Sequence, residues 1–322
     1  MSRFHPVALE CFAVLVEEGS FERAARRLSI TQSAVSQRLR TLEGDAGTVL
    51  VVRSRPLKLT ATGEVLLKHA NRLRLARSDF QRDAEELNPV TTGTAWKDER
   101  IAIALDGDSI ATWALPALDK LARGGLSFEL LVDPLDGTRD RLRDGQAMGC
   151  ITSADVPPPG CKATPLGAIE YLAVAQPAYA REHLPHGLGP YNFPAARFVA
   201  CDRKDGLASQ FVHENFGVAH ARLDESYVPT PEGRLRAVLG GWGVGILPEG
   251  LARGPLVRGK LLNVAPGHTM RVPLYWQCWN AESSVLDALG DALAEAIAGS
   301  RSAAPSRPAV QRDDTRVAAT VD

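Results

Sequence analysis

Six polar side chains between residues 32 and 40 repeat at helical spacing, and an apolar set alternates with them. The polar set is Gln32, Ser33, Ser36, Gln37, Arg38 and Arg40, and the apolar set is Ala34, Val35, Leu39 and Leu42. Glutamine can hydrogen-bond adenine in the major groove of DNA, arginine can bond guanine, and serine can bond a base or a phosphate. One side of this segment therefore has the chemistry of a DNA-reading surface. A polar helix face that meets only water is the alternative.

The surrounding elements are of the kind that presents such a face to DNA. Residues 6–18 and 21–28 have helical apolar spacing, and Thr31 can cap a third helix over residues 32–43 as well as join the DNA contacts. Two short helices, a tight turn and a polar-faced third helix predict a helix-turn-helix.

A basic hairpin is predicted directly after these helices. Residues 49–53 and 57–59 are β-like, and residues 54–56 form a turn between them. We expect Arg53, Arg55 and Lys58 to meet phosphate or the minor groove, which positions a protein without specifying sequence. Residues 1–60 are thus predicted to form a winged helix-turn-helix domain.

A long helix is predicted over residues 61–88, with an apolar repeat of seven residues. The repeat consists of Leu66, Leu73, Phe80 and Leu87. A sustained heptad repeat favours a coiled-coil dimer helix, and a DNA-reading helix commonly needs two copies to span two half-sites. An amphipathic helix packed on its own domain is the alternative.

Charge is distributed unevenly between the N-terminal part of the chain and the remainder. Residues 1–77 carry a net charge of +6, whereas the remainder carries −7, within a total of −1. A basic first unit is suited to phosphate. No apolar run approaches the ~18 residues of a membrane span, and the start has no secretory signal pattern, so we expect a cytoplasmic protein that does not enter a membrane.

From residue 101 onward, strands alternate with helices. Strands are predicted at 101–105, 128–132, 150–152, 172–175, 198–201, 244–247 and 274–279, and helices at 110–122, 138–143 and 283–297. This alternation predicts an α/β region with a parallel sheet, long enough for two lobes. Residues 89–98 read as a linker, and residues 299–322, poor in large apolar side chains, as a disordered tail.

Ligands of an α/β region are expected beyond the carboxyl ends of its strands. The loop at residues 106–109 opens a helix, so Ser109 and its backbone N–H groups can hold a carboxylate. A cationic group would suit the acidic residues at or near strand ends, which are Asp106, Asp108, Asp133, Asp136 and Asp202. Each of these, taken alone, can equally be a helix or turn cap.

Enzyme and metal chemistry find little support. The glycine-rich stretch at 240–245 precedes a strand, which is the wrong context for a dinucleotide loop. His183 and His186 lack an obvious third ligand, and the five cysteines contain no C-x-x-C pair. We therefore expect no catalytic residues, no cofactor, no metal and reduced thiols.

The N-terminal motifs resemble those of the LysR-type transcriptional regulators. The resemblance is carried by residues 20–25, 31–38 and 42–43, and it extends through Val52-Arg53, Leu59-Thr60 and Gly63. It implies a winged helix-turn-helix followed by a two-lobed effector-binding domain of the periplasmic-binding-protein type. By this reading, the effector domain covers 99–298, with lobe I at 99–166 and 270–298 and lobe II at 167–269.

A narrower resemblance is to the arginine- and lysine-responsive branch of that family, which controls basic amino-acid export. It rests on residues 108–113, 115–118, 166–172, 215–216 and 245–248. It implies an activator whose effector cleft is lined by Asp108, Ser109 and Thr112, with Thr152 and Asp202 as further candidates by position. Asp106 replaces the branch's usual asparagine. Pro231 and Arg234 also depart from the branch, and an added cation near the cleft would oppose a basic ligand.

The sequence therefore predicts a homodimeric or homotetrameric regulator that binds double-stranded operator DNA and a small molecule, with RNA polymerase as a further partner. A LysR-type regulator with a different effector and a low-specificity DNA-binding or replication-inhibiting protein are the alternatives. A solute-binding protein and an enzyme with a DNA-binding domain fit less well, because the first lacks a signal peptide and the second lacks a catalytic set.

Overall fold

The computed structural model describes residues 4–54, 56–87 and 100–302. Three helices build its N-terminal domain. The helices are α1 (Pro6–Glu18), α2 (Phe21–Arg27) and α3 (Gln32–Ala46). The hydroxyl of Thr31 accepts the Ala34 N–H, which is the predicted cap of α3. Helix α3 runs past the predicted end at residue 43 and stops where Gly47 takes a left-handed conformation with φ of 71°.

The wing is a short antiparallel hairpin of β1 (Val51–Val52) and β2 (Lys58–Leu59). Both strands are shorter than predicted. The N–H of Leu50 donates to Glu43 Oε1 of α3 instead of to a strand, so pairing begins at Val51, two residues after the predicted start. Arg55 lies outside the described residues, as do the predicted linker at 89–98 and residues 303–322 of the predicted tail.

Helix α4 (Ala61–Leu87) follows the wing, with the hydroxyl of Thr60 accepting the Gly63 N–H at its start. Its first half buries Leu66, Leu67 and Ala70 in the core of the N-terminal domain. Leu75, farther along, belongs to the core of the α/β region. One helix thus packs against both parts of the chain.

The α/β region opens with a parallel unit. Its elements are β3 (Arg100–Leu105), α5 (Gly107–Ser109), a π-helical turn (Ile110–Ala114), α6 (Leu115–Arg123), β4 (Ser127–Val132), α7 (Thr138–Arg143) and β5 (Gly149–Thr152). Strand β3 lies between β4 and β5 and is parallel to both. The predicted helix at 110–122 is therefore longer and begins irregularly. Pro116, which has no N–H to donate, is the second residue of α6 and follows the π-helical turn after Leu115.

The remaining elements complete two lobes. They are β6 (Cys161–Ala175), α8 (Pro177–His183), a 3-10 turn (Phe193–Ala195), β7 (Arg197–Ala200), α9 (Leu207–Phe216), β8 (Asp224–Tyr227), α10 (Pro231–Leu239), β9 (Gly245–Pro248), α11 (Glu249–Val257), β10 (Leu262–Asn263), β11 (Met270–Trp279) and α12 (Ser284–Ser302). The predicted strand at 172–175 is only the last part of β6.

The sheet is mixed, which corrects the prediction of a parallel sheet. Its order is β10-β6-β11-β5-β3-β4, and β9 also pairs with β6. Strand β11 is antiparallel to both β5 and β6, whereas β7 and β8 form a separate parallel pair. Strand β6 connects the lobes because it pairs with β11 along most of its length and with β9 and β10 near its end.

Helix α12 corrects the start of the predicted tail. It continues through Ser302, so residues 299–302 are helical. Leu289, Leu293 and Ile297 of this helix are buried in the lobe I core at helical spacing, and they anchor the turns that lead to its end. In the part of the chain that the structure describes, no helix combines the length and hydropathy that crossing a membrane requires.

Candidate DNA-binding and effector sites

Helix α3 presents most of the predicted reading residues to solvent. Thr31, Gln32, Ser33, Gln37 and Arg40 are exposed, and Ser36 is half-buried. The hydroxyl of Thr31 forms the helix cap and a 2.9 Å hydrogen bond with Ser33 Oγ. The opposite side of α3 buries Val35, Leu39 and Leu42 in the domain core, so the helix can dock in a groove only with its polar face.

Arg38 differs from its neighbours because it is half-buried and lies against Cys11 of α1. Burial raises the pKa of the Cys11 thiol, and the adjacent guanidinium of Arg38 acts in the opposite direction. Arg38 therefore packs partly against its own domain and is only partly available on the outer face of α3. Periodicity alone placed it fully outward.

Arg53 holds the wing against the helices. Its guanidinium carbon lies 5.2 Å from the centroid of the Phe21 ring at the start of α2. A cation over an aromatic face is a favourable contact, so the side chain has a defined position beside the helix-turn-helix. The exposed Arg53 thus lies beside the start of α2.

The heptad residues of α4 separate into two environments. Leu66 is 7% exposed and packs in the N-terminal core, whereas Leu73 is 45% exposed and Phe80 is 71% exposed. Leu66 therefore lies inside its own domain, contrary to the prediction that the whole repeat faces a partner. The side chain of Leu87 is outside the described set. Val65, 72% exposed, adds a further apolar group to the outer face.

Polar contacts attach α4 to both of its neighbours. Arg74, buried in the middle of the helix, pairs with Glu17 of α1 and lies 3.6 Å from Glu10. The amide of Asn71 donates to the carbonyl of Gly145 in lobe I over 3.0 Å. A movement of lobe I relative to the N-terminal domain must therefore strain or shift α4.

Three of the predicted effector residues lie together after β3. Asp106 caps this segment, since its carboxylate accepts the N–H of Ser109 at 3.0 Å and the hydroxyl of Ser109 at 2.6 Å. The hydroxyl of Thr112 donates to the carbonyl of Asp108 at 2.6 Å. Ser109 and Thr112 thus brace the loop, and Asp108 is the group that extends from it toward lobe II.

Asp108 is 5% exposed and is surrounded by polar groups from distant segments. Arg234 of α10 donates to one of its carboxylate oxygens, and the hydroxyl of Tyr171 donates to the other at 3.1 Å. Burial raises the pKa of Asp108, and the Arg234 guanidinium acts in the opposite direction. Burial also raises the pKa of Tyr171 well above its usual range, so its hydroxyl keeps the proton that it donates.

A second carboxylate completes this set, which we call the Asp108 cluster: Asp108, Tyr171, Asp205 and Arg234. Asp205 Oδ2 lies 3.8 Å from Arg234 Nη1, and its side chain is 7% exposed. Sequence reasoning missed Tyr171 and Asp205 and treated Arg234 only as a departure from a family pattern. Two carboxylates around one guanidinium are a cation-binding arrangement.

The other two predicted effector residues serve local structure. Thr152 is fully buried, and its hydroxyl donates at 3.3 Å to the carbonyl of Leu135, which joins β5 to the loop after β4. Asp202 accepts the N–H groups of Lys204 and Asp205 and so caps a turn. That turn directs Asp205 toward Arg234, and it explains why the acidic member of the cluster lies three residues after the predicted one.

The lobes touch beside the cluster. A Cβ built on Gly107 of lobe I would lie 3.1 Å from Pro231 Cγ at the start of α10. Thr112 lies against Gly250 at the start of α11 in the same way. Two helices of lobe II therefore meet the loop after β3 directly, and the cluster lies in a closed cleft.

Other features give weaker sites. A cavity of about 450 Å³ in lobe II is lined by residues that include Tyr179, Arg197 and Trp242, none of which belongs to the Asp108 cluster. The ring of His183 packs against that of Tyr179 at a tilt of 44°, with ring centroids 4.5 Å apart. Among the described residues, no group of three or more His, Cys, Asp or Glu side chains is placed to hold a metal ion.

Comparison with known proteins identifies both parts of the chain. Residues 7–64 match the family described as bacterial regulatory helix-turn-helix protein, lysR family, and residues 97–298 match the LysR substrate binding domain. The chain is 38% identical over 291 residues to the HTH-type transcriptional regulator LysG of Mycobacterium bovis, covering 90% of this chain and 93% of that protein.

Two solved structures share the architecture. ArgP from Mycobacterium tuberculosis superposes with a TM-score of 0.74 at 37% identity, covering 91% of this chain and 97% of that one. Full-length LysG from Corynebacterium glutamicum with bound effector arginine gives a TM-score of 0.65 at 32% identity, covering 92% and 98%. With both family domains present in order and full-length relatives above 30% identity, the chain belongs to the LysR-type transcriptional regulators.

Proposed function

We propose that this regulator binds a basic amino acid between its two lobes, at the Asp108 cluster, and that binding changes how it engages operator DNA. The observation that carries the proposal is the buried carboxylate of Asp108, which already pairs with a guanidinium in a closed cleft. A site that holds a guanidinium between two carboxylates suits the side chain of arginine, and less fully the ammonium of lysine. The arginine carried by LysG of Corynebacterium glutamicum supports the same ligand class.

The target and assembly follow from the same reading. We expect a homodimer or homotetramer that binds double-stranded operator DNA in the cytoplasm, acts with RNA polymerase, has no enzymatic step and controls an amino-acid exporter gene. The outer face of α4, with Val65, Leu73 and Phe80, supports a subunit contact because three large apolar side chains lie exposed there.

Coupling between the two sites requires a ligand that binds one arrangement of the lobes better than another. The contacts of α4 supply a physical route. Lobe I reaches the helix through Asn71 and Gly145, and the helix reaches the N-terminal domain through Arg74 and Glu17. A change in lobe closure would therefore alter the relative placement of two recognition helices in a dimer.

Isothermal titration of the purified protein with L-arginine and L-lysine tests the ligand class, with L-leucine as a neutral control. Binding of a basic amino acid and not of leucine is expected, and Asp108→Asn should abolish it. A DNase footprint on a regulated promoter, with and without the same ligand, tests the coupling. No binding of either basic amino acid, or an identical footprint in both states, would contradict the proposal.

A further inference from the structure

The cation in the Asp108 cluster comes from the protein itself. Arg234 is 3% exposed and directs its guanidinium out of lobe II onto Asp108 of lobe I. The guanidinium of Arg234 therefore occupies the position between the carboxylates of the cluster. An amino acid with a cationic side chain needs the same carboxylate.

We propose that Arg234 is a tethered competitor of the effector: its guanidinium occupies the cation site between the lobes, and a basic amino acid binds by displacing it. This inference rests on the proposed function for the identity of the ligand. Arg234 thereby sets the concentration of effector to which the regulator responds.

The pairing of Arg234 also joins the lobes. The residue stands on α10 of lobe II, Asp108 stands on the loop after β3 of lobe I, and Pro231 of the same helix packs on Gly107 beside it. A single side chain thus both fills the site and holds the cleft closed. Displacement would break one link between the lobes at the moment when the effector forms its own.

Arg234 is an incomplete occupant, which makes displacement feasible. Its Nη2 bonds Asp108, but its Nη1 is 3.8 Å from Asp205, beyond a good hydrogen bond. Within the described residues, its buried Nε has no hydrogen-bond acceptor. A buried donor without a partner costs free energy. A free arginine is not restrained by a helix backbone, so its guanidinium can orient to use donors that Arg234 leaves unpaired.

Tethering nevertheless favours Arg234, because a group that is covalently held beside its site is present at a high effective concentration. Removing it should therefore strengthen effector binding. We would titrate L-arginine into the full-length wild type, Arg234→Gln and Arg234→Lys. Arg236→Gln serves as the matched control, since Arg236 is an exposed arginine of the same helix. The expected dissociation constant falls at least tenfold in Arg234→Gln, less in Arg234→Lys, and not in Arg236→Gln.

Unchanged or weaker arginine binding in folded Arg234→Gln and Arg234→Lys would overturn the inference. A second measurement does not depend on the amino acid. Methylguanidinium at millimolar concentration should raise the melting temperature of Arg234→Ala and leave that of the wild type unchanged, because only the variant has an empty cation site.

The two measurements separate the possible failures. If methylguanidinium rescues Arg234→Ala but no protein binds arginine or lysine, the proposed effector is wrong while Arg234 still occupies a cation site. If the wild type binds arginine and removal of Arg234 neither tightens that binding nor permits rescue, the proposed function stands and the competitor role is wrong.

Discussion

Asp108 and Arg234, 126 residues apart in sequence, form a buried ion pair that joins lobe I to lobe II. Both side chains are at least nine-tenths buried. Because each lies on a different lobe, the pair reports on lobe closure as well as on the charge state of the cleft. The positive charge of Arg234 is balanced by the carboxylate of Asp108, so a basic ligand that takes this carboxylate must separate the pair.

Removal of Arg234 should make the stability of the protein depend more strongly on pH. Burial raises the pKa of Asp108 and Arg234 opposes that rise, so Arg234→Gln should raise the pKa further. A carboxyl with a raised folded-state pKa loses stability as pH rises from its unfolded value of about 4 through the folded value. The difference in melting temperature between wild type and Arg234→Gln should thus widen between pH 5 and pH 8. At the upper end, the loss in free energy of unfolding should approach about 3–5 kcal/mol. Arg236→Gln should show a gap that does not vary with pH, and a constant gap for Arg234→Gln would refute this account.

Gln37 should contribute to sequence reading, whereas Arg53 should contribute to general affinity. Gln37→Ala should weaken specific operator binding by about 1–3 kcal/mol and leave non-specific binding nearly unchanged. Arg53→Ala should weaken both and lower the salt dependence of binding by about one charge. Fluorescence anisotropy with operator and scrambled DNA at several salt concentrations distinguishes these effects. Exposed Arg123 of lobe I supplies a control, as Arg123→Ala should change neither.

Replacement of Arg38 should affect both DNA binding and stability, because the side chain is only half-buried on α3 and also contacts Cys11 of α1. Arg38→Ala is expected to reduce specific DNA affinity by about 1–3 kcal/mol and also to lower the melting temperature slightly. Thermal melts beside the same anisotropy series separate the two. Full DNA affinity in the variant would show that the side chain serves only its own domain.

The exposed and buried residues of α4 should behave differently. Leu73→Asp and Phe80→Asp should dissociate the subunits, because a charge would replace an apolar side chain in the subunit contact. Neither substitution should unfold the chain, because both side chains are exposed in the single chain and support no core. Leu66→Ala should instead destabilise the N-terminal domain by about 2–5 kcal/mol, the usual cost of a core truncation. Analytical ultracentrifugation and thermal melts measure the two properties. Oligomers that survive both aspartate substitutions would place the subunit contact elsewhere.

Gly145 should be intolerant of a side chain because it lies against α4. Its φ is 77°, and an added Cβ would be 2.8 Å from Lys68 Cβ. Gly145→Ala should therefore lower stability by more than the ~1–2 kcal/mol of backbone strain alone and weaken the effect of ligand on the footprint. Gly259→Ala is the control, since its φ is 65° but nothing lies within 4 Å of the added atom. Equal losses in the two variants would argue against a close contact between lobe I and α4.

The buried cysteines should resist alkylation. Burial raises the pKa of Cys150 to about 12 and that of Cys278 to about 11. The thiolate is the reactive form, so at pH 8 both residues should react with iodoacetamide far more slowly than the partly exposed Cys201. Peptide mass spectrometry over a time course gives the three rates. Rapid labelling of Cys150 in the folded protein would contradict the buried environment.

Local patterns in the sequence were sufficient to predict the helices of the N-terminal domain and the polar, exposed face of α3. The cap at Thr31 and the alternation of Val35, Leu39 and Leu42 with polar residues act over one or two helical turns. Such interactions are settled by near neighbours in the chain, so the structure has the helices where the pattern predicts them. The same holds for the loop after β3, where Asp106 and Ser109 are only three residues apart.

Contacts between distant segments were decided only by the tertiary structure. The tertiary structure brings β11 antiparallel to β6 and β5. It also buries Leu66 in the core of the N-terminal domain and places Arg234 and Asp205 around Asp108. The sequence alone determined that this chain has a helix-turn-helix, a wing, a long helix and an α/β region with an acidic loop. It did not determine which cation meets that loop, because the partner of a buried charge depends on how separate lobes close, and local periodicity carries no information on that closure.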